Sequence, residues 1–354
     1  MIMLRVENLC RKQGTFELKD ISIEVHPGEL YVILGPTGAG KTTLLDCIAG
    51  FRTVHSGRIF LYDKDITYLP PESREIGYIP QEPALFPHMS VFKNIEYGLK
   101  IRRLPQEDRR RKVLEISEIL EIRDILEKFP HELSGGEKQR VSLARAIVVM
   151  PRAMLMDEPL AHLDLPLRRE LRYDIRRIIK ELNIPALYVT HDQSEAFSIA
   201  DRLAIMDMGK IVEGGKPEAI LDRPTRVFSA KFIGYENLFR VTVRSVIDNM
   251  SIVGVGDVEF RIPGRYHGEL YIGFRPEDVI VFKEKPISSI QNIFRAEISD
   301  IICEGSIAKL ILDIGVEIKG IITRRSLIDL KLRKGEHVYI GIKSTTIRIF
   351  SNQY

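Results

Sequence analysis

A chain of 354 residues is too long for one ordinary domain, and its 44% hydrophobic and 29% charged residues are the make-up of a soluble globular protein. A net charge of +3 gives no argument for a nucleic-acid partner, and Cys10, Cys47 and Cys303 lie too far apart for a metal spacing or a disulfide framework, which fits a reducing cytosol. No run of about eighteen apolar residues appears, so no membrane-spanning helix is expected, and the opening MIMLRVENL lacks the basic-then-apolar pattern of a signal peptide.

In chain order, the first two thirds alternate short β-rich runs with amphipathic helices. ELYVILG, residues 29–35, is a continuous apolar run ending in Gly, which suits a buried parallel strand. AMLMDEP from Ala153 and PALYVTH from Pro185 read the same way. Between them, Val113, Ile116 and Leu120, with Ile119, Ile122 and Leu126, recur at helical spacing. Residues 83–149 are expected to be mostly helical and to form a subdomain. After residue 234 the helical signal fades, and short alternating strands separated by Gly and Pro follow. The expected domains are therefore 1–234 and 235–354.

The second part echoes itself. NLFRVTVRSV from Asn237 and NIFRAEISDI from Asn292 share one pattern, and YIGFRPEDVIVF from Tyr271 and YIGIKSTTIRIF from Tyr339 share another, in the same order. Two such pairs point to a duplicated small β-module.

GPTGAGKT, from Gly35 through Pro36, Thr37, Gly38, Ala39, Gly40 and Lys41 to Thr42, follows a predicted strand and opens a helix. In that context the pattern is a phosphate-binding loop. The glycines let several backbone N–H groups face one anion, and the helix adds its positive end. Lys41 is expected to reach the β- and γ-phosphates, and Thr42, followed by Thr43, to offer a hydroxyl to Mg²⁺. Asp157 and Glu158 end an apolar strand, where acids face the ligand crevice of a parallel sheet. Asp157 suits a Mg²⁺ partner and Glu158 the base that orients a water; taken alone, both are equally ordinary loop charges. His191 ends another strand, placed to donate to a phosphate oxygen as charge develops. Ser134, Gly135, Gly136 and Glu137, in LSGGEKQR, form a second backbone nest at a helix N-terminus. One phosphate loop already serves one triphosphate, so a second nest implies a nucleotide held by another copy.

This ordered set resembles the ABC transporter ATPases over residues 1–234. GPTGAGKT matches Walker A, Gln81 in YIPQEPALF the Q-loop, LSGGE the signature, AMLMDEP Walker B, LAHLD the D-loop and His191 the switch histidine. The resemblance implies a P-loop α/β core with a helical subdomain. It also implies a head-to-tail homodimer with ATP and Mg²⁺ between Walker A and the partner's signature, Glu158 as catalytic base, and Gln81 at the metal or the water. A membrane permease, fed by an extracytoplasmic binding protein, would make this a peripheral protein of the cytoplasmic membrane face. Two features depart from the common pattern. Glu137 replaces the usual Gln, and the adenine-stacking aromatic can only be Phe16, whose other reading is a core residue.

The C-terminal part resembles the OB-like TOBE or Mop domains of importer ATPases, and SSIQNIFRAEI, IITRRS and GIKSTTIRI are similar to those of molybdate/tungstate importers. In such relatives oxyanion binding inhibits transport. Ser289, Asn292, Thr323, Arg324, Arg325, Ser326, Lys343 and Ser344 are the candidate donors for a tetrahedral dianion; they also read as ordinary polar positions of a small barrel. Three rival readings are an importer of sulfate, iron, sugar or polyamine, whose C-terminal domain only stabilises the dimer; an ABC ATPase acting on DNA or ribosomes; and a degenerate binding module. No sustained heptads and a single cassette speak against the second, and Lys41, Asp157, Glu158 and His191 against the third.

Overall fold

The computed structural model describes residues 3–351 and divides into two compact units, Met1–Glu218 and Ala219–Tyr354. No helix among the described residues is long and apolar enough to cross a membrane.

The first unit opens with β1 (Leu4–Gln13), β2 (Phe16–Val25) and β3 (Leu30–Leu34), and β3 runs through a loop into α1 (Lys41–Ala49). β4 (Ser56–Leu61), β5 (Lys64–Asp65) and β6 (Ile76–Ile79) follow. Then come α2 (Val91–Ile101), α3 (Gln106–Ile119) and α4 (Gly135–Ile147), so residues 83–149 contain no strand. The unit ends with β7 (Ala153–Asp157), α5 (Leu165–Glu181), β8 (Ala186–Thr190), α6 (Gln193–Ile199), β9 (Arg202–Asp207) and β10 (Lys210–Gly215).

Two sheets form. One is antiparallel in the order β2-β1-β4-β5; the other runs β10-β9-β3-β8-β7-β6, parallel except at the β9–β10 edge. β3, β7 and β8 are buried at every position, as their unbroken apolar runs require of strands covered on both faces. Because these strands are parallel, their carboxyl ends lie along one edge. The loops after β3, β6, β7 and β8 carry the phosphate loop, Gln81, Glu158 and His191 to that edge.

α7 (Pro217–Asp222) straddles the division, and α8 (Val227–Phe232) follows. The rest of the second unit is a duplicated, OB-like module of curled antiparallel sheet. Its first half is β11 (Asn237–Ile247), β12 (Met250–Val255), β13 (Val258–Pro263), β14 (Glu269–Phe274) and β15 (Ile280–Phe282). Its second half is β16 (Asn292–Glu304), β17 (Ile307–Asp313), β18 (Glu317–Thr323), α9 (Arg324–Asp329), β19 (His337–Ile342) and β20 (Arg348–Phe350). The halves exchange their last strands. The sheets run β13-β12-β11-β14-β20 and β15-β19-β16-β17-β18. One apolar cluster, including Phe260, Phe274, Ile298, Leu310 and Ile340, joins both sheets. Residues 219–234 pack with this unit, where Arg275 donates to the Leu221 carbonyl and Tyr235 meets Phe350 edge-on.

Candidate active site

The loop between β3 and α1 is shaped for an anion by what it lacks. Gly40, at φ 102°, caps α1 with no side-chain hydrogen bond. Ser90, Ser134 and Asp164 do supply side-chain caps to α2, α4 and α5. The first N–H groups of α1 are therefore left for a ligand. An added Cβ on Gly40 would lie 2.3 Å from the Phe16 ring, so only Gly fits between the aromatic and the loop. Gly35 and Ala39 are buried, and the Ala39 carbonyl accepts from Gly209 N at 3.0 Å, which fixes the underside of the loop.

A cavity of about 390 Å³ lies over this loop, lined by Phe16, Thr37, Gly38, Gly40, Lys41, Thr42, Thr43, Gln81, Glu158 and His191. Lys41 Nζ donates to the carbonyls of Gly35 at 2.9 Å and Pro36 at 3.0 Å. Its distance to Glu158 Oε1 is 3.7 Å, an ion pair rather than a hydrogen bond. Burial pulls the Lys41 pKa below the ordinary lysine value, against the opposing charges of Glu158 and Asp157. Thr42 Oγ1 donates to Asp157 Oδ1 at 3.1 Å. Burial pushes the Asp157 carboxyl up, partly offset by that hydrogen bond. Glu158 has φ 43°, unusual for a non-glycine residue, and its N–H donates to Val189 O at 3.0 Å. Its Oε2 lies 2.7 Å from His191 Nδ1.

The hydroxyl of Thr42 and the carboxylate of Asp157 are hard oxygen donors side by side, the donor set that Mg²⁺ takes. The uncapped helix end, Lys41 and Phe16 fit a triphosphate with an attached aromatic base.

Ser134, Gly135, Gly136 and Glu137 are not part of this cavity. Ser134 and Glu137 form a capping box at α4: Glu137 N donates to Ser134 Oγ at 3.3 Å and Ser134 N to Glu137 Oε2 at 2.7 Å. That bond from the Ser134 backbone holds the Glu137 carboxyl below its ordinary value. Ser134 and Gly135 are exposed.

Two groups went unread in the sequence. Arg168 reaches Asp192 Oδ2 and the carbonyls of Ala161 and Leu163, all at 3.1 Å. Buried Glu195 accepts from Thr190 Oγ1 at 2.7 Å and Tyr188 OH at 3.1 Å. Both act beside the His191 turn; Glu195 follows that histidine closely in sequence, whereas Arg168, on α5, carries no local signal.

The eight candidate oxyanion donors have different surroundings. Asn292 is buried, and its amide is spent on backbone: it accepts from Arg261 N at 2.6 Å and donates to Arg261 O and Ile342 O. Thr323 caps α9 through Ser326 N at 3.0 Å, and the two hydroxyls lie 2.8 Å apart. Arg324, Arg325, Lys343 and Ser289 are exposed, and Ser344 is partly so. A cavity of about 740 Å³ in this unit is lined instead by residues including Arg223, Tyr266, Thr345, Arg348 and Ser351.

Comparison with known proteins gives the family. Residues 18–161 match the ABC transporter family model and residues 288–349 the TOBE domain model. A molybdate/tungstate import ATP-binding protein of Pyrococcus horikoshii is 43% identical over 98% of this chain and 100% of its own length. An Fe(3+) ions import ATP-binding protein of Fusobacterium nucleatum is 34% identical over 99% of this chain and 94% of its own. A solved ATP-binding cassette of an ABC transporter in its ADP conformation superposes with a TM-score of 0.58 at 26% identity, covering 66% of this chain and 98% of that one.

Proposed function

The chain belongs to the ABC transporter ATP-binding subunits, an ATPase family, and on that premise we propose that it drives an importer of molybdate or tungstate. The similarity to a molybdate/tungstate import protein runs through both units, including the second. One observation carries the chemistry: Lys41, Thr42 and the Glu158–His191 pair line one cavity over an uncapped helix end, with Thr42 hydrogen-bonded to Asp157.

In this reading the α1 N-terminus and Lys41 hold the phosphates, and Phe16 stacks on the adenine. Thr42, Asp157 and Gln81 would hold Mg²⁺, which neutralises phosphate charge when bound. Glu158 accepts a proton from a water whose oxygen bonds to the γ-phosphorus, while the bond to the bridging oxygen breaks. His191 orients the Glu158 carboxylate and donates toward the phosphate oxygens. Phosphoryl transfer is to water.

The Ser134–Gly135–Gly136 nest, exposed at Ser134 and Gly135, does not line its own chain's nucleotide cavity. A head-to-tail homodimer supplies it with a phosphate, the partner's. The dimer works beneath an integral-membrane permease at the cytoplasmic face, and an extracytoplasmic binding protein delivers the solute to that permease. Gln81, on the loop after β6, couples the site to the permease.

The second unit is the regulatory element, inhibiting turnover when oxyanion accumulates. Arg324, Arg325, Lys343 and the Thr323 hydroxyl are on residues exposed in one chain, and in this reading a second copy completes the site. Calorimetric titration of the full chain with molybdate, tungstate, sulfate and phosphate tests this. Saturable binding of the first two alone supports the reading. No binding reduces the second unit to a dimer brace and favours another solute, a reading that the near full-length match to an iron importer subunit keeps open.

A further inference from the structure

Among the described residues, His191 is held through its side chain by Glu158, and both of its chain neighbours are pinned. The Thr190 hydroxyl donates to buried Glu195 at 2.7 Å and accepts from Asp192 N at 3.0 Å. Asp192 Oδ2 accepts from Arg168 Nη1 at 3.1 Å, while its Oδ1 caps α6 through Glu195 N at 2.9 Å. The second nitrogen of the same guanidinium donates to Ala161 O and Leu163 O in the turn that follows Glu158. Arg168 is mostly buried, at 19% side-chain exposure. One rigid fork thus fixes the turn after β7 against the turn after β8, the two turns that carry Glu158 and His191.

The signature nest, at the N-terminus of α4, packs against the start of α5 and the turn before it. A Cβ on Gly136 would lie 2.5 Å from Leu167 Cδ2, and one on Gly135 3.2 Å from Leu163 Cδ2. The nest backbone therefore rests directly on the residues flanking Arg168's turn. Further along, buried Arg140 of α4 pairs with Glu170 and Asp174 of α5 and donates to Leu120 O at 3.0 Å.

We propose that Arg168 is a positioning residue for hydrolysis. It holds Glu158 and His191 in register and, through α5, sets their position relative to the nest that the same chain offers to its partner. The first half of this rests only on the hydrogen bonds; the second rests on the proposed dimer. Arg168 does not line the nucleotide cavity, and its hydrogen bonds go to Asp192, Ala161 and Leu163, so its loss acts on turnover and leaves nucleotide binding alone.

The test uses full-length Arg168→Met and Arg168→Lys, with steady-state kinetics and equilibrium ATP binding measured separately. Arg168→Met is expected to lower kcat by about 10- to 100-fold, the cost of displacing catalytic groups by a fraction of an ångström to an ångström, with ATP affinity unchanged. Arg168→Lys keeps the Asp192 ion pair but cannot fork to both carbonyls, so its kcat should fall between the two. Unchanged kcat in Arg168→Met overturns the proposal. So does a joint loss of kcat, ATP affinity and thermal stability, which marks a structural role only. If the Met variant does not fold, the Lys variant decides: lowered kcat with intact ATP binding supports the role, and wild-type kcat overturns it. ATP-induced dimerisation of Glu158→Gln is measured alongside. Its absence sinks the dimer and the link to the nest, without touching the kcat result.

Discussion

Asn237 and Asn292 make the same pair of hydrogen bonds into opposite halves of the second unit. Asn237 Nδ2 donates to Lys319 O at 2.9 Å and its Oδ1 accepts from Lys319 N at 2.7 Å. Asn292 does the same with Arg261, at 3.1 and 2.6 Å. Arg261 is on β13 and Lys319 on β18, the third strand of each half. Both asparagines are buried, so each half closes the other with a reciprocal side-chain clamp.

Replacing either Asn by Ala leaves a part-buried backbone N–H and C=O without their side-chain partner, at up to about 1–3 kcal/mol for each unpaired group. Amide hydrogen exchange should quicken in β18 for Asn237→Ala and in β13 for Asn292→Ala. Wild-type protection in both variants would show that the clamps carry no stability.

Phe16→Ala should weaken ATP binding by about 5- to 150-fold, since stacking on a base contributes roughly 1–3 kcal/mol. Inorganic tripolyphosphate, which has no base, should bind as before. Equal losses for both ligands would mean that Phe16 only shapes the loop beside Gly40.

Glu195 gives a pH signature. Burial raises its carboxyl above the ordinary glutamate value, against the hydrogen bond from Thr190. Asp192 adds to that rise, while Tyr188 and Arg172 oppose it. A carboxyl raised in the folded state adds stability below its unfolded pKa and loses it as pH climbs through the folded pKa. Glu195→Gln cannot ionise. The unfolding midpoint of the variant relative to wild type should therefore rise with pH from the ordinary glutamate range upward, and then level off. A difference that is constant across that range would place Glu195 among unperturbed carboxyls.

The sequence made the nucleotide loop legible because its chemistry is local. Gly35 to Thr42 specify a strand-loop-helix joint whose anion site needs no distant residue. Asp157, Glu158 and His191 were legible as acids and a base at strand ends, but their meeting point depends on the parallel order of β3, β8 and β7. The exchange of β15 and β20 was hidden, since the repeat pattern fixes which strands match and not which sheet takes them. Asn292 misled for a related reason: its side chain names a donor, and only the fold shows that the donor is spent. The matching Asn237 was the available sign of a structural role. Arg168 carries no motif, and its part emerges only once two turns are seen to share one guanidinium.

The central claim is that Glu158 is the base of a nucleotide site completed by a second chain, and Glu158→Gln tests it most directly. The ATPase rate should fall by about 10²- to 10⁴-fold, as expected for loss of a general base. ATP binding should persist, and gel filtration with ATP should show a stable dimer. Turnover at the wild-type rate would contradict the account.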